Sequence, residues 1–188
     1  MNFAILRQHM TTAQTMGYGM IAKLLHWGMA VLILISLCAI KFKDLFPKGE
    51  IRHEVVSWHF QMGLYVLLLI WLRIIWRMKN PPPPIFPALS RIQAMAATTA
   101  HVALYALMLI LPVVGVLARQ ARGNDVELFG HILPAYLDED SGLPYALKIK
   151  SVHTFLGNAL MWLIAVHVLI AIFHHMVRRD NTLRRMLP

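Results

Sequence analysis

Four long runs of apolar residues leave this chain few ways to fold. They cover roughly residues 18–40, 57–76, 93–117 and 151–176. Each run comes close to or exceeds the ~20 residues that a helix needs to cross a bilayer. The chain is 58% hydrophobic and 14% charged, which is too apolar for a soluble domain of 188 residues. The sequence therefore predicts an all-α fold, an integral membrane four-helix bundle that forms a single domain over residues 1–188.

The net charge is +9, and nearly all of the charged residues lie in the connections between the apolar runs. This distribution argues against a basic surface that binds nucleic acid. Four spans place both termini and the 77–92 connection on one side of the membrane. That side carries ten basic residues and one acid, Asp180, whereas the other side carries eight of each. The positive-inside rule counts Lys and Arg, so we expect both termini in the cytoplasm and no nucleic-acid partner.

Two connections stand out by composition and by length. Pro81 to Pro84 are consecutive prolines, which favour a stiff polyproline II spacer. The connection at 118–150 is the longest of the chain, and connections of such length are often functional. Within the third run, Pro112 removes one backbone hydrogen bond and is expected to bend the helix.

Two histidines in the fourth run lie fourteen residues apart, at His153 and His167. Fourteen residues are close to four turns of an α-helix, so both imidazoles lie on one face, about 21 Å apart along the axis. The hydrocarbon core is roughly 30 Å thick, so the two rings lie near opposite sides of it. Ionisable side chains at membrane depth are usually functional. This spacing predicts two stacked cofactors.

Histidines on other runs match these two depths. His59 and His153 are predicted within about a turn of the outer ends of their helices, and His26 and His167 about eight residues from the cytoplasmic ends. Opposed histidines at equal depth are what bis-imidazole haem ligation requires, because each neutral ring supplies one nitrogen to an axial iron position. The interior of a helix bundle is a usual place for such a cofactor.

His101 competes with His26 and His167, because it lies at a similar depth in the third run. Depth alone leaves it open whether His101 is a ligand, a group beside a ligand or part of a quinone site. His174 follows His167 by seven residues and is expected at the membrane interface, where it could meet a haem propionate.

A metal transporter is the main alternative from another class of protein. Transporters also place histidines within the membrane, but usually beside carboxylates. No Asp or Glu lies within any of the four apolar runs, which disfavours a proton or divalent-cation pathway. No phosphate-binding loop or zinc spacing is present either.

Short motifs recur along nearly the whole chain in a combination that is typical of one family. They are Leu25-His26-Trp27, Trp58-His59, Arg77-Met78-Lys79-Asn80 followed by prolines, Ala100-His101-Val102-Ala103-Leu104-Tyr105, Leu111-Pro112-Val113-Val114-Gly115, Arg122-Gly123-Asn124, Ser151-Val152-His153, His167, His174-His175 and Arg179-Asp180-Asn181-Thr182-Leu183. The chain resembles the bacterial cytochrome b561 family of four-helix di-haem cytochromes that exchange electrons with quinone.

This resemblance implies two b-type haems held by His26, His59, His153 and His167. It also implies a multi-pass protein of the bacterial inner membrane. Members with this pattern look like superoxide oxidases, which pass electrons from periplasmic superoxide to ubiquinone. The expected partners are then superoxide, ubiquinone and the lipid bilayer, with a homo-oligomer or a partner subunit possible.

Superoxide is a small anion, so basic groups near the outer haem could steer it, an effect that salt would screen. The candidates for this catalytic role are Arg52, Arg122, Lys148 and Lys150. The chief rival function is a cytochrome b electron-transfer subunit that links a partner dehydrogenase or hydrogenase to the quinone pool.

Overall fold

The fold consists of four long helices and one short hairpin. A computed structural model describes residues 17–128, 130–135 and 139–188. The helices are α1 (Met20–Phe42), α2 (Glu50–Lys79), α3 (Arg91–Gln120) and α4 (Glu139–Phe173). A single 3-10 turn, Lys43–Leu45, follows α1, a π-helical turn, His174–Arg178, continues α4, and a last 3-10 turn covers Arg184–Met186.

All four helices are long and apolar enough to cross a membrane. An α-helix pairs its backbone N–H and C=O groups within its own segment, which the hydrocarbon core of a bilayer demands. The start of α3 is fixed by a capping box, in which the Ser90 side chain accepts from the Gln93 N–H and the Gln93 side chain accepts from the Ser90 N–H. The predicted all-α four-helix fold is confirmed.

The helix ends differ from the predicted ends of the apolar runs. On the side opposite the termini, α2 begins at Glu50 and α4 at Glu139, several residues before their apolar runs. His59 and His153 therefore lie deeper within their helices than predicted. The reason is that these helices continue into the polar interface of the membrane. Polar residues are favourable there, so the hydropathy of the sequence does not reveal that the first turns are helical.

The predicted loop at 118–150 contains regular structure. Val126–Leu128 (β1) and His131–Leu133 (β2) form a two-stranded antiparallel hairpin in which Glu127 pairs with Ile132. The last third of that segment belongs to α4, so Lys148 and Lys150 are helical residues rather than loop residues. Residues 136–138 lie outside the described part of the chain.

Two apolar clusters hold the helices together. Met29 of α1 packs with Val66 and Ile70 of α2, and Leu104 and Leu111 of α3 pack with Leu160 of α4. The outward faces stay apolar: Phe155, Trp162 and Leu169 of α4 are more than half exposed. Large exposed apolar faces on every helix suit contact with lipid rather than with water.

The two ends of the bundle differ in how they close. We call the end that contains Tyr18 and Arg185 the terminal end, and the end that contains residues 43–49 and the β-hairpin the loop end. At the terminal end the C-terminal tail folds back across the helices. The Tyr18 N–H donates to the Arg185 carbonyl at 2.8 Å, and Trp27 Nε1–H donates to the Met186 carbonyl at 2.9 Å.

Candidate functional site

At the loop-end level, His59 of α2 and His153 of α4 face each other. Their ring centres are 6.0 Å apart, and the ring planes cross at 88°. Both side chains are half-buried between helices. The sequence predicted this pair from matched depth, and the structure brings the two rings together.

Each ring of the loop-end pair is oriented through its Nδ1 atom. His59 Nδ1 lies 2.9 Å from the Ser36 carbonyl and 2.9 Å from Ser36 Oγ, and that hydroxyl also donates to the His59 carbonyl at 3.1 Å. His153 Nδ1 lies 3.1 Å from the Leu111 carbonyl. A carbonyl can only accept, so in both rings Nδ1 carries the proton and Nε2 keeps its lone pair for a metal.

The position of His153 depends on a glycine of α3. A Cβ atom at Gly115 would lie 3.1 Å from Cε1 of the His153 ring, which is closer than ordinary van der Waals contact. Gly115 lies one turn beyond Leu111, whose carbonyl accepts from the same ring. This turn of α3 therefore both makes room for His153 and orients it.

At the terminal-end level, three histidines meet instead of two. His167 of α4 lies 6.4 Å from His26 of α1 and 5.6 Å from His101 of α3, measured between ring centres. All three side chains are half-buried. The competition between His26 and His101 that depth left open is thus present in the structure.

The two competitors differ in their hydrogen bonds. His101 Nδ1 lies 2.6 Å from the Ala97 carbonyl four residues earlier, so His101 keeps a lone pair on Nε2. His26 Nδ1 lies 3.2 Å from Nη2 of Arg73, which can only donate. His26 Nδ1 is therefore the acceptor here, and a neutral His26 carries its proton on Nε2.

Ring spacing tests whether these pairs fit a shared metal. Metal–nitrogen bonds to histidine are about 2 Å long, and adding about 1 Å from each nitrogen to its ring centre puts two opposed ligands roughly 6 Å apart. The loop-end spacing of 6.0 Å matches this value. The terminal-end spacings of 6.4 and 5.6 Å differ from it equally, so ring spacing does not rank His26 against His101. Within the described residues, no group of three or more His, Cys, Asp or Glu forms a metal site. Paired imidazoles without carboxylates or thiolates suit a haem, whose macrocycle supplies the other ligands.

Arg73 is a site residue that the sequence analysis missed. It follows His59 by fourteen residues in α2, the same spacing that separates His153 from His167 in α4. The two helices run in the same direction, so Arg73 lies level with His167. Arg73 Nε–H also donates to the Tyr105 hydroxyl at 3.0 Å. The repeated spacing was the signal that could have identified it.

The four basic candidates at the loop end have different surroundings. Lys148 and Lys150 are exposed on α4, and Lys150 precedes His153 by three residues. Arg122 lies in the turn after α3 and is half-buried. Arg52 donates to the Asp44 carboxylate at 3.1 Å, so a neighbouring negative charge offsets its own.

His174 has a carboxylate partner rather than a free ring. Its Nδ1 lies 2.6 Å from Oδ2 of Asp180, whose side chain is fully buried. The Thr182 N–H donates to the other carboxylate oxygen at 2.9 Å. Asp180 occupies Nδ1 of His174 and leaves Nε2, so the predicted contact between His174 and a haem propionate stays a prediction.

Comparison with known proteins gives one family. A model of the family described as prokaryotic cytochrome b561 matches residues 17–188. A Yersinia pestis protein named "Probable superoxide oxidase CybB" is 32% identical over 164 residues, which cover 87% of this chain and 92% of that protein. An Escherichia coli K12 protein named "Cytochrome b561 homolog 1" is 32% identical over 165 residues, covering 87% and 93%. "Cytochrome b561 homolog 2" of the same organism is 29% identical over 172 residues, covering 90% of each chain.

Proposed function

Because the chain belongs to the prokaryotic cytochrome b561 family, a family of b-type haem proteins in bacterial membranes, we propose that it passes electrons from periplasmic superoxide to ubiquinone. One observation carries the electron-transfer part of this proposal, namely two opposed histidine pairs at two levels of one bundle. The choice of superoxide is supported by a relative that is named as a probable superoxide oxidase.

We assign one haem to each level. His59 and His153 hold the loop-end haem, because both rings keep a lone pair on Nε2 and their spacing suits a shared iron. A bound b-type haem supplies an iron that accepts and releases one electron at a time. The Ser36 and Leu111 carbonyls hold each ring in the tautomer that a ligand requires.

At the terminal end we assign His26 and His167 as the ligands. The resemblance to the cytochrome b561 family supports this choice of His26 over His101, and the 6.4 Å spacing of the two rings is compatible with opposed ligands. Ligation through Nε2 of His26 requires its proton on Nδ1, so Arg73 must give up the hydrogen bond that it donates to that atom. His101 would then be a neighbour of His167 rather than a ligand, and would be available to a quinone.

Superoxide reacts at the loop end, which we place in the periplasm. Each superoxide gives up one electron and leaves as O₂, so two are needed to convert one quinone and two protons to quinol. Lys148 and Lys150 are the best-placed residues to attract the anion, because they are exposed and lie within two turns of His153. Arg122 contributes a further charge, and Arg52 contributes less because Asp44 offsets it.

The proposed orientation places the terminal end in the cytoplasm and the protein in the inner membrane. The excess of basic residues at the terminal end supports this orientation. In this orientation superoxide reacts at the loop end, and electrons are delivered to quinone at the terminal end.

Stopped-flow reduction of the purified, oxidised protein by superoxide tests the proposal. We expect fast haem reduction by the protein alone, with a rate constant that falls as ionic strength rises. Haems that dithionite reduces and superoxide does not would contradict the oxidase function. The subunit of a partner dehydrogenase or hydrogenase would then be the better assignment.

A further inference from the structure

Three arginines converge near the terminal-end histidines. Arg73 and Arg77 lie one turn apart on α2, and both contact Tyr105 of α3. Arg73 donates to the Tyr105 hydroxyl at 3.0 Å, and the Arg77 guanidinium lies 5.8 Å from the centre of the same ring. Both charges are thereby held against the interior of the bundle rather than directed to solvent.

The third arginine comes from the C-terminal tail. Arg185 lies over the Tyr18 ring at 5.2 Å and donates through Nη1 to the Pro83 carbonyl. Its Nε atom is buried and has no hydrogen-bond partner among the described residues. Burial lowers the pKa of Arg185, Tyr18 and Asp180 oppose that change, and Arg77 lies close enough to lower the pKa further.

Asp180 acts on Arg185 only from beyond salt-bridge distance. Asp180 makes its salt bridges with His174 and Arg178. Arg73, Arg77 and Arg185 have no salt bridge to an acidic side chain in the described part of the chain. Half-buried guanidinium groups without counter-charges are unfavourable, so an anion at this place would stabilise the fold.

We propose that Arg73, Arg77 and Arg185 form a carboxylate-binding site that holds the propionate groups of the terminal-end haem. This inference rests on the proposed haem ligation at that end. Guanidinium groups bind carboxylates through paired N–H donors, which matches a site built from arginines rather than lysines. A carboxylate would also replace His26 as the acceptor for Arg73, and His26 Nδ1 could then carry the proton that a ligand needs.

Haem transfer from the holoprotein to apomyoglobin tests this site. In Arg77→Gln and Arg185→Gln, the terminal-end haem should leave about tenfold faster or more, since a charged hydrogen bond is lost. The loop-end haem should leave at the parent rate in both variants. The matched control is Arg91→Gln, which removes an exposed charge from the start of α3 at the same end.

A second measurement separates propionate binding from a general loss of structure. The midpoint potential of the terminal-end haem should become pH-dependent at higher pH in both variants, because a propionate that loses its guanidinium partner has a raised pKa. A parent-like pH dependence and parent-like haem transfer in both variants would overturn the inference.

The phosphate of a lipid headgroup is the competing source of an anion. In that case the substitutions would change the pH dependence of the midpoint potential only in nanodiscs that contain anionic lipid, and haem transfer would match the parent. This outcome would also overturn the propionate site. Failure of the proposed function looks different, because the parent itself would then lack haem or resist reduction by superoxide.

Discussion

At the scale of single residues, Gly115 makes room for one of the candidate haem ligands, His153. We predict that Gly115→Ala pushes the His153 ring away from its position, because the new Cβ would lie 3.1 Å from Cε1. The loop-end haem should show a shifted midpoint potential and faster dissociation, measured by redox titration and haem transfer.

Gly157→Ala is the matched control for Gly115→Ala. Gly157 lies within α4 and has open space where its Cβ would be. An alanine there should stabilise the helix by roughly 1 kcal/mol and leave both haem potentials unchanged. Equal effects of the two substitutions would contradict the role that we give to Gly115.

The four proposed ligands should separate into two sets when they are replaced singly. We predict that His59→Ala or His153→Ala disturbs the loop-end haem alone, and that His26→Ala or His167→Ala disturbs the terminal-end haem alone, since a ligand must lie level with its iron. A pyridine haemochrome assay and redox titration measure the result. His101→Ala should retain both haems.

If His101→Ala loses a haem and His26→Ala retains both haems, His101 is the ligand opposite His167. The sequence could place these three histidines at one depth but could not rank them. Ranking requires the partner of each Nδ1 atom and the placement of each ring opposite His167, and those depend on how α1 and α3 are rotated against α4.

At the scale of the helices, the outer part of α4 carries the two lysines that we expect to attract superoxide. We predict that Lys148→Gln combined with Lys150→Gln lowers the second-order rate of haem reduction and flattens its salt dependence, because electrostatic steering acts on encounter. Haem content and spectrum should match the parent. The measurement is stopped-flow reduction at low and high ionic strength.

Lys48→Gln, in the connection between α1 and α2, is the control for these lysines. If it lowers the rate as much as the double variant does, steering comes from the total charge of the loop end and not from α4. Neither result would affect the assignment of the histidine ligands.

The helices themselves were predictable from the sequence, and their ends were not. Hydropathy identifies the part of α2 and α4 that crosses the membrane, because apolar side chains face lipid there. The first turns of both helices are polar and lie outside that part, at Glu50 and Glu139. The β-hairpin at Val126 to Leu133 was also missed, because three-residue strands are too short to show an alternating pattern.

At the scale of the whole molecule, the buried Asp180 fastens the C-terminal tail to the end of α4. Burial raises the pKa of Asp180, but hydrogen bonds from Thr182 and His174 lower it by more, so the net pKa lies below its usual range. The ionised carboxylate therefore stabilises the fold at pH values above about 3.9, the unfolded pKa, and this contribution is lost as pH falls through the folded pKa.

We predict that Asp180→Asn lowers the stability at neutral pH by about 1–3 kcal/mol, since charged hydrogen bonds are lost. The difference from the parent should shrink at pH values below the folded pKa. Thermal unfolding in detergent across this pH range measures it, with Glu54→Gln at the exposed start of α2 as the control. A difference that does not change with pH would show that the tail is held by its other contacts.

The four-helix bundle and the histidine pairs follow from apolar length and spacing, which a sequence displays directly. The position of the C-terminal tail cannot be predicted in this way, because its contacts join residues that are far apart in the chain. The Asn181 N–H donates to the Phe86 carbonyl at 3.1 Å, and the Phe86 N–H donates to Asn181 Oδ1 at 2.8 Å. Neither residue has a local pattern that predicts the other.

The unequal surroundings of the two histidine levels have a consequence for energy conversion. A hydroxyl and carbonyl groups contact the loop-end pair, whereas the guanidinium of Arg73 contacts the terminal-end pair at His26. In the proposed orientation, an electron that moves from the loop-end level to the terminal-end level moves towards the negative side of an energised membrane. Crossing the full width against 100 mV costs about 2.3 kcal/mol per charge. Fixed positive charges at the destination would offset part of this cost, so in the proposed orientation the arginines would favour inward movement of the electron against the membrane voltage.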